Sequence, residues 1–172
     1  GIQYAPYYEE EFFISKNKKQ SLVNVKSVDS SKFKNFYDLE LVLDSQDLNH
    51  GEIIIGKSLA DRMDFSIGDS ISIYSTNLNM SYLAMPYIQQ LVIKDIFKNR
   101  ILRSDEFLVF TVSKDYHFPD KKFTDIEIIG NIDNIIPLPN KKIVSWKERN
   151  KQLFDATEIC LLYTSPSPRD SD

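Results

Sequence analysis

Residues 51–58, GEIIIGKS, constrain the fold more than any other stretch. They match the phosphate-binding pattern G-x-x-x-x-G-K-[ST] letter for letter, yet their residue types oppose the geometry that pattern serves. A phosphate cradle requires a strand, then a glycine-rich loop whose backbone N–H groups turn inward, then a helix. Here the polar sequence DSQDLNH precedes Gly51, and Ile53, Ile54 and Ile55 lie between the two glycines. Three consecutive β-branched residues favour an extended strand and resist tight, partly left-handed turns. The order is therefore turn, strand, a corner at Gly56, and the helical run GKSLADRMD, which argues against a nucleotide triphosphate site. LVIKD, ending at Asp95, resembles a second nucleotide motif only loosely, since Lys94 interrupts its apolar run.

The rest of the chain reads as strands with few helices, an α+β pattern of mixed sheets. Residues 10–16 and 20–28 form a hairpin about the polar turn NKK. Residues 29–51 are irregular or partly helical, and a helix from about 57 to 63 turns Leu59, Ala60 and Met63 to one face. Gly68 and Asp69 make a turn into a strand in which Ile71, Ile73 and Ser75 alternate with Ser70, Ser72 and Tyr74. Further strands are expected at 90–98, 106–112, 123–130 and, briefly, 142–144. Ser145 caps a closing helix, with Glu148 completing a capping box and Trp146, Leu153, Phe154 and Thr157 near one face.

The 172 residues suffice for one domain with a real core, and 9 Tyr and 11 Phe against a single Trp suit a sheet-rich fold. A formal net charge of −4 supplies no basic field for nucleic acid. The apolar runs fall far short of the roughly 20 residues that span a bilayer.

Both ends are expected to be cut. Residue 1 is Gly, and the chain enters strand-like sequence at once. At the other end CLLYTSPSPRD, residues 160–170, departs sharply from a Lys-, Asn- and Ile-rich chain and agrees residue for residue with a translated sequencing-library adaptor. The expected division is thus a domain over 1–159 and a non-native tail over 160–172. Without the tail the chain stays mildly acidic and loses Cys160, its one cysteine, and with it any disulfide, thiol nucleophile or zinc–thiolate site.

No residue set points to catalysis, a cofactor or a metal. His50 and His117 are far apart in sequence, and Glu9, Glu10 and Glu11 read as a solvated strand start. Ser, His and Asp lack nucleophile-elbow spacing, and the NMS at Asn79 matters only in a eukaryotic secretory setting.

Several pieces in order do resemble one family. Gly56 followed by a Leu-Ala helix, then IGDSISIYS, a loop, LVIKDIF and SWKERNKQLFDATEI is the order found in the periplasmic domain of lipoprotein-releasing ABC permeases of the LolC/LolE type, which carry a MacB-like core and belong with the FtsX-like permeases. VNVKSVDSSKF resembles that family's V.V.GID segment, with Ser27 where Gly is usual. Trp146, Asn150, Leu153, Phe154, Ala156 and Glu158 resemble its closing-helix pattern.

The resemblance covers nearly all of 1–159. It implies a domain held between two transmembrane helices at the bacterial inner membrane and facing the periplasm. It implies no enzyme activity of the domain itself, with ATP hydrolysed by a separate subunit. The implied partners are that ATPase, a second permease subunit, a lipoprotein and a soluble periplasmic carrier.

In LolC-like members a protruding hairpin grips the carrier. The corresponding loop here is 76–89, and Tyr82, Leu83, Met85, Pro86 and Tyr87 are its expected partner-binding residues: Met and Tyr offer adaptable contact area and Pro stiffens the tip. The bland alternative is that these side chains fold back on the core. Two other functions stay open: an FtsX-type or macrolide-exporter-type permease with another substrate, and a cytosolic small β-barrel-like module of an AAA-type ATPase, which LADRMDFSIGDSISIY also resembles.

Overall fold

The computed structural model describes residues 1–45, 47–75, 88–99, 103–112, 123–131, 135–136, 142–149 and 151. The chain divides into two units, Gly1–Ile132 and Asp133–Asp172.

The described residues of the first unit include eight strands: β1 (Gln3–Lys16), β2 (Lys19–Val28), β3 (Glu40–Leu41), β4 (Glu52–Gly56), β5 (Ser70–Ser75), β6 (Ile88–Lys98), β7 (Leu108–Val112) and β8 (Asp125–Ile129). Its helices are α1 (Ser30–Phe36) and α2 (Lys57–Met63), with a 3-10 turn at Arg103–Glu106. Strands β2, β7, β4, β6, β5 and β1 pair in that order, and β1 returns to β2, so the sheet closes into a barrel. The β2–β7 and β4–β6 pairings are parallel and the others in the ring antiparallel. β1 is long enough for two tasks. Residues 8–16 lie in the barrel wall, and its first residues, Gln3 to Tyr7, pair with β8.

Alternation along the strands produces two cores. Phe12, Ile14, Val25, Ile53, Ile73 and Val109 point into the barrel, where Leu59, Ala60 and Met63 of α2 join them. On the outside of one wall, Val28, Ile54, Phe97 and Phe110 lie under Phe33 of α1 and Leu48. Phe110 anchors this second core edge-on to Phe33 and Phe97, at centroid distances of 5.5 and 5.6 Å. Because β4 serves both cores, Ile53, Ile54 and Ile55 are all fully buried. That explains a continuous apolar run where a half-exposed strand would alternate.

The expected hairpin is present and tighter than NKK suggested. Asn17 and Lys18 alone form the turn, both at positive φ (50° and 67°), as a type I′ hairpin demands. α2 matches its expected span and ends on Asp64 in the left-handed region. In the irregular segment α1 forms because the Asp29 side chain accepts from the Ser31 amide at 3.0 Å, a local N-cap. The expected strand over 106–112 begins at Leu108, and residues 103–106 form the 3-10 turn instead.

In the second unit α3 spans Trp146–Arg149, and the Glu148 amide donates to Ser145 Oγ at 3.1 Å. The Glu148 carboxylate pairs with Lys142, which holds its pKa below the ordinary value. Residues 142–144 join no ladder among the described residues, contrary to the expected short strand. The expected boundary at 159 and the tail lie outside the described residues.

Candidate partner-binding site

The expected site residues Tyr82, Leu83, Met85, Pro86 and Tyr87 lie outside the described residues. What the structure gives is their base. β5 and β6 are antiparallel neighbours whose last pair is Tyr74 opposite Ile88. Residues 76–87 therefore connect two strands of one hairpin rooted in the barrel wall. The base is fixed by side chains on both faces: Ile71 and Ile73 are buried in the barrel, and Tyr74 stacks on Phe13 outside it, 5.4 Å between centroids. A turn held by Asp69 sets the entry to this hairpin. Its carboxylate accepts from the Ser66 amide at 2.7 Å and pairs with Lys16. The Lys16 hydrogen bond, then the Ser66 bond, hold the Asp69 pKa below its ordinary value.

The GEIIIGKS corner is filled by protein. The backbone of Asp105 stands where a Cβ on Gly56 would have to go, and Ser58 Oγ donates to Asp105 Oδ2 at 2.8 Å. A phosphate over this corner would meet a carboxylate and a backbone carbonyl. Lys57 is engaged with Asp61 one turn on. The glycine serves close packing, consistent with its unstrained φ of −72°.

Two buried charges escaped the sequence reading. Lys26 on β2 is only 7% exposed and pairs with Glu127 of β8, its ammonium 4.0 Å from the Tyr7 ring centroid and 4.9 Å from that of Tyr37. Tyr37 donates its hydroxyl to the other Glu127 oxygen. Burial first, and then Glu127, hold that hydroxyl protonated far above the ordinary tyrosine range. The group ties β8 and the segment after α1 to the barrel wall.

Asp95 on β6 is fully buried. Its carboxylate accepts from the amides of Leu43 (3.0 Å), Ser45 (3.1 Å) and Ile96 (2.7 Å), fastening the chain after β3 over the second core. The residue that ends LVIKD is thus a structural anchor. The only sequence sign was an acidic residue in an apolar strand, a position that demands partners.

Among the described residues no three or more His, Cys, Asp or Glu side chains are placed to hold a metal ion, and no helix is long and apolar enough to cross a membrane. His50 is exposed in the turn before β4, and His117 lies outside the described residues.

No protein-family model matches the chain, and no curated protein matches it. Solved structures do. The periplasmic region of MacB from Actinobacillus actinomycetemcomitans is similar with a TM-score of 0.50 at 9% identity, covering 96% of this chain and 78% of that one. The extracellular domain of the noncanonic ABC-type transporter YknZ from Gram-positive bacteria gives 0.46 at 10% identity, over 65% of this chain. A domain of a putative permease from Porphyromonas gingivalis gives 0.46 at 11% identity, over 92%. The chain spans 55% of the YknZ domain and 63% of the Porphyromonas domain. At such identities it is the fold that is shared, and this chain has the α+β fold of the MacB periplasmic region.

Proposed function

We propose that the chain is the periplasmic domain of an inner-membrane ABC transporter permease of the lipoprotein-releasing type. Tyr82, Leu83, Met85, Pro86 and Tyr87, on the connection between β5 and β6, make its contact with a partner. The supporting observation is the MacB-like fold over 96% of the chain. That residues 76–87 join the antiparallel neighbours β5 and β6 in sequence is consistent with it. A closed barrel with a second core on its wall suits a mechanical part, since close-packed interiors transmit displacement rather than absorb it.

In this reading a separate subunit hydrolyses ATP and a second permease subunit completes the transporter. The domain follows the motion of the membrane helices, and a lipoprotein passes from the membrane to a soluble carrier. The barrel alone would also suit a small ATPase-associated module. The extent of the MacB likeness, which reaches beyond the barrel, favours the permease.

The gene, read about 40 residues beyond each end, should encode an apolar span of roughly 20 residues on both sides. Polar flanks would remove the permease reading. With spans present, a purified lipoprotein carrier should bind the domain, and Tyr82→Ala with Met85→Ala should weaken binding at least about tenfold. Absence of carrier binding would leave a permease with another substrate.

A further inference from the structure

We infer that β8 is a latched strap, a strand that opens from the barrel as one unit and is held shut through Lys26, Glu127 and Tyr37. The barrel closes without it. The ring that runs from β2 through β7, β4, β6 and β5 to β1 closes on residues 8–16 of β1, whereas β8 pairs with residues 3–7, outside that ring. None of Asp125–Ile129 is buried, and Ile126 and Ile129 are 37% and 44% exposed. Apart from the two-residue β3, every other described strand buries side chains. A strand with ladder bonds and little buried apolar surface opens at a lower free energy than elements that share a core.

The strand beside it is anchored separately. Ala5 and Tyr7 are each 3% exposed, Tyr7 belongs to the second core, and Lys32 Nζ donates to the Tyr4 carbonyl at 2.8 Å. The start of β1 therefore stays in place when β8 leaves. Beyond the ladder, the described bonds to β8 and the residue before it are few. The Thr124 amide donates to the Tyr7 carbonyl at 2.8 Å, the Glu9 amide donates to Thr124 Oγ1 at 3.0 Å, and Lys26 and Tyr37 hold Glu127. Of these, only the Glu127 group reaches past β1, to β2 and to the segment after α1.

The chemistry of that contact makes it reversible. An ion pair held out of water has lost the hydration of both charges, and opening returns water to Lys26 and Glu127. Aliphatic side chains in the same places would regain nothing on opening and would keep β8 shut. The rings of Tyr7 and Tyr37 and the Tyr37 hydroxyl fix where Lys26 and Glu127 meet, so the closed position is specific while the net adhesion of the pair stays small. β8 ends at Ile129 and the first unit at Ile132. Opening hands residues 125–132 to the connection into the second unit, which at ~3.3 Å per residue adds up to about 26 Å of reach.

The test is hydrogen exchange of the full chain, read by mass spectrometry on peptides over 125–129 and over 108–112 in β7. Three proteins are compared: the native chain, Lys26→Met, and Gln3→Cys with Ile129→Cys in a Cys160→Ser background, whose disulfide joins facing positions of β1 and β8. In the native chain the protected amides over 125–129 should exchange at least about a hundredfold faster than those over 108–112. Lys26→Met should accelerate 125–129 at least about tenfold further, because the contact is lost in the opened form. The disulfide should slow 125–129 at least about tenfold, with recovery on reduction. Equal native rates would mean that β8 opens only with the whole barrel, which overturns the strap. Exchange that ignores the disulfide would be fraying of single bonds and would overturn it too. Acceleration by Lys26→Met at 108–112 and not at 125–129 would overturn the latch, since the contact would then survive the opening.

Discussion

The backbone of Asp105 occupies the space that a Cβ on Gly56 would need. The obstacle is main chain on a 3-10 turn, which cannot swing aside as a side-chain tip could. Gly56→Ala should therefore force the α2 corner and the 103–106 turn apart, costing about 3 kcal/mol, at the upper end of overpacking effects. Urea unfolding of the two proteins measures this. In the same samples neither protein should bind ATP in equilibrium dialysis; binding that Lys57→Ala abolishes would restore the phosphate-loop reading.

Lys26 and Glu127 form the one charge pair described here that involves a buried lysine. Lys26→Met keeps the aliphatic stem between Tyr7 and Tyr37 but leaves the Glu127 carboxylate, 28% exposed, without its cation. A loss of about 2 kcal/mol is expected, below the full cost of breaking a deeply buried pair because Glu127 retains some solvent. Adding Glu127→Gln should recover part of that loss, since the amide needs no counter-charge. Two single variants and the double variant, compared by thermal unfolding, decide the point.

Tyr37 yields a pH prediction with a definite sign. Its folded pKa is raised above the ordinary tyrosine value of 10.0, first by burial and then by Glu127. An unfolded chain ionises this tyrosine near pH 10 while the native chain does not. Its stabilising contribution is complete below pH 10 and declines as pH rises beyond it. Titration of native protein at 295 nm should show tyrosine absorbance missing at pH 12 relative to the denatured protein. In Tyr37→Phe the shortfall should shrink by one tyrosine, and an unchanged shortfall would assign it elsewhere.

Local order was largely legible and closure was not. The β5 alternation, the α2 face and the β1–β2 hairpin could all be read because each depends on residues within a turn or two of one another. The parallel pairings of β2 with β7 and of β4 with β6 join distant segments, and side-chain period carries no information about which strand lies beside which. β1 begins at Gln3, earlier than the expected 10, because its first residues are held by β8 and not by the hairpin partner. Nothing local to Lys26 marked it, since its aromatic cage and carboxylate come from β1, β8 and the segment after α1. The base of the proposed partner site followed from the Gly68–Asp69 turn and the β5 pattern, whereas the outer row of Ile88, Tyr74, Phe13 and Leu22 exists only once the registers of three pairings are known.

Lys18 is a strained residue in a turn that prefers glycine. With φ at 67°, it sits second in a two-residue type I′ turn, where Asn-Gly is the favoured pair and Asn17 already supplies the first member. Lys18→Gly should stabilise the protein by about 0.5–1 kcal/mol: relief of left-handed strain exceeds the extra unfolded-state entropy glycine brings. A higher denaturation midpoint at unchanged slope is the expected reading, and a lower midpoint would mean that the Lys18 side chain contributes more than its backbone costs.

Asp95 shows how one buried carboxylate organises a surface segment. Both Leu43 and Ser45 donate their amides to it, across a chain whose Asp44 has φ of 55° and whose Leu43 side chain is left exposed. Asp95→Asn retains the volume but turns one acceptor into a donor, which then faces backbone N–H groups. A buried polar group left unsatisfied costs about 1–3 kcal/mol. Because the amides of Leu43 and Ser45 belong to one surface segment, while the third donor, Ile96, stays in the β6 ladder, the loss should be local as well as global. Hydrogen exchange at Leu43 and Ser45 should accelerate far more than at Ile55 or Val109 in the barrel core. Uniform acceleration across these sites would instead make Asp95 a support of the whole barrel, with the segment after β3 held by its contacts to the second core.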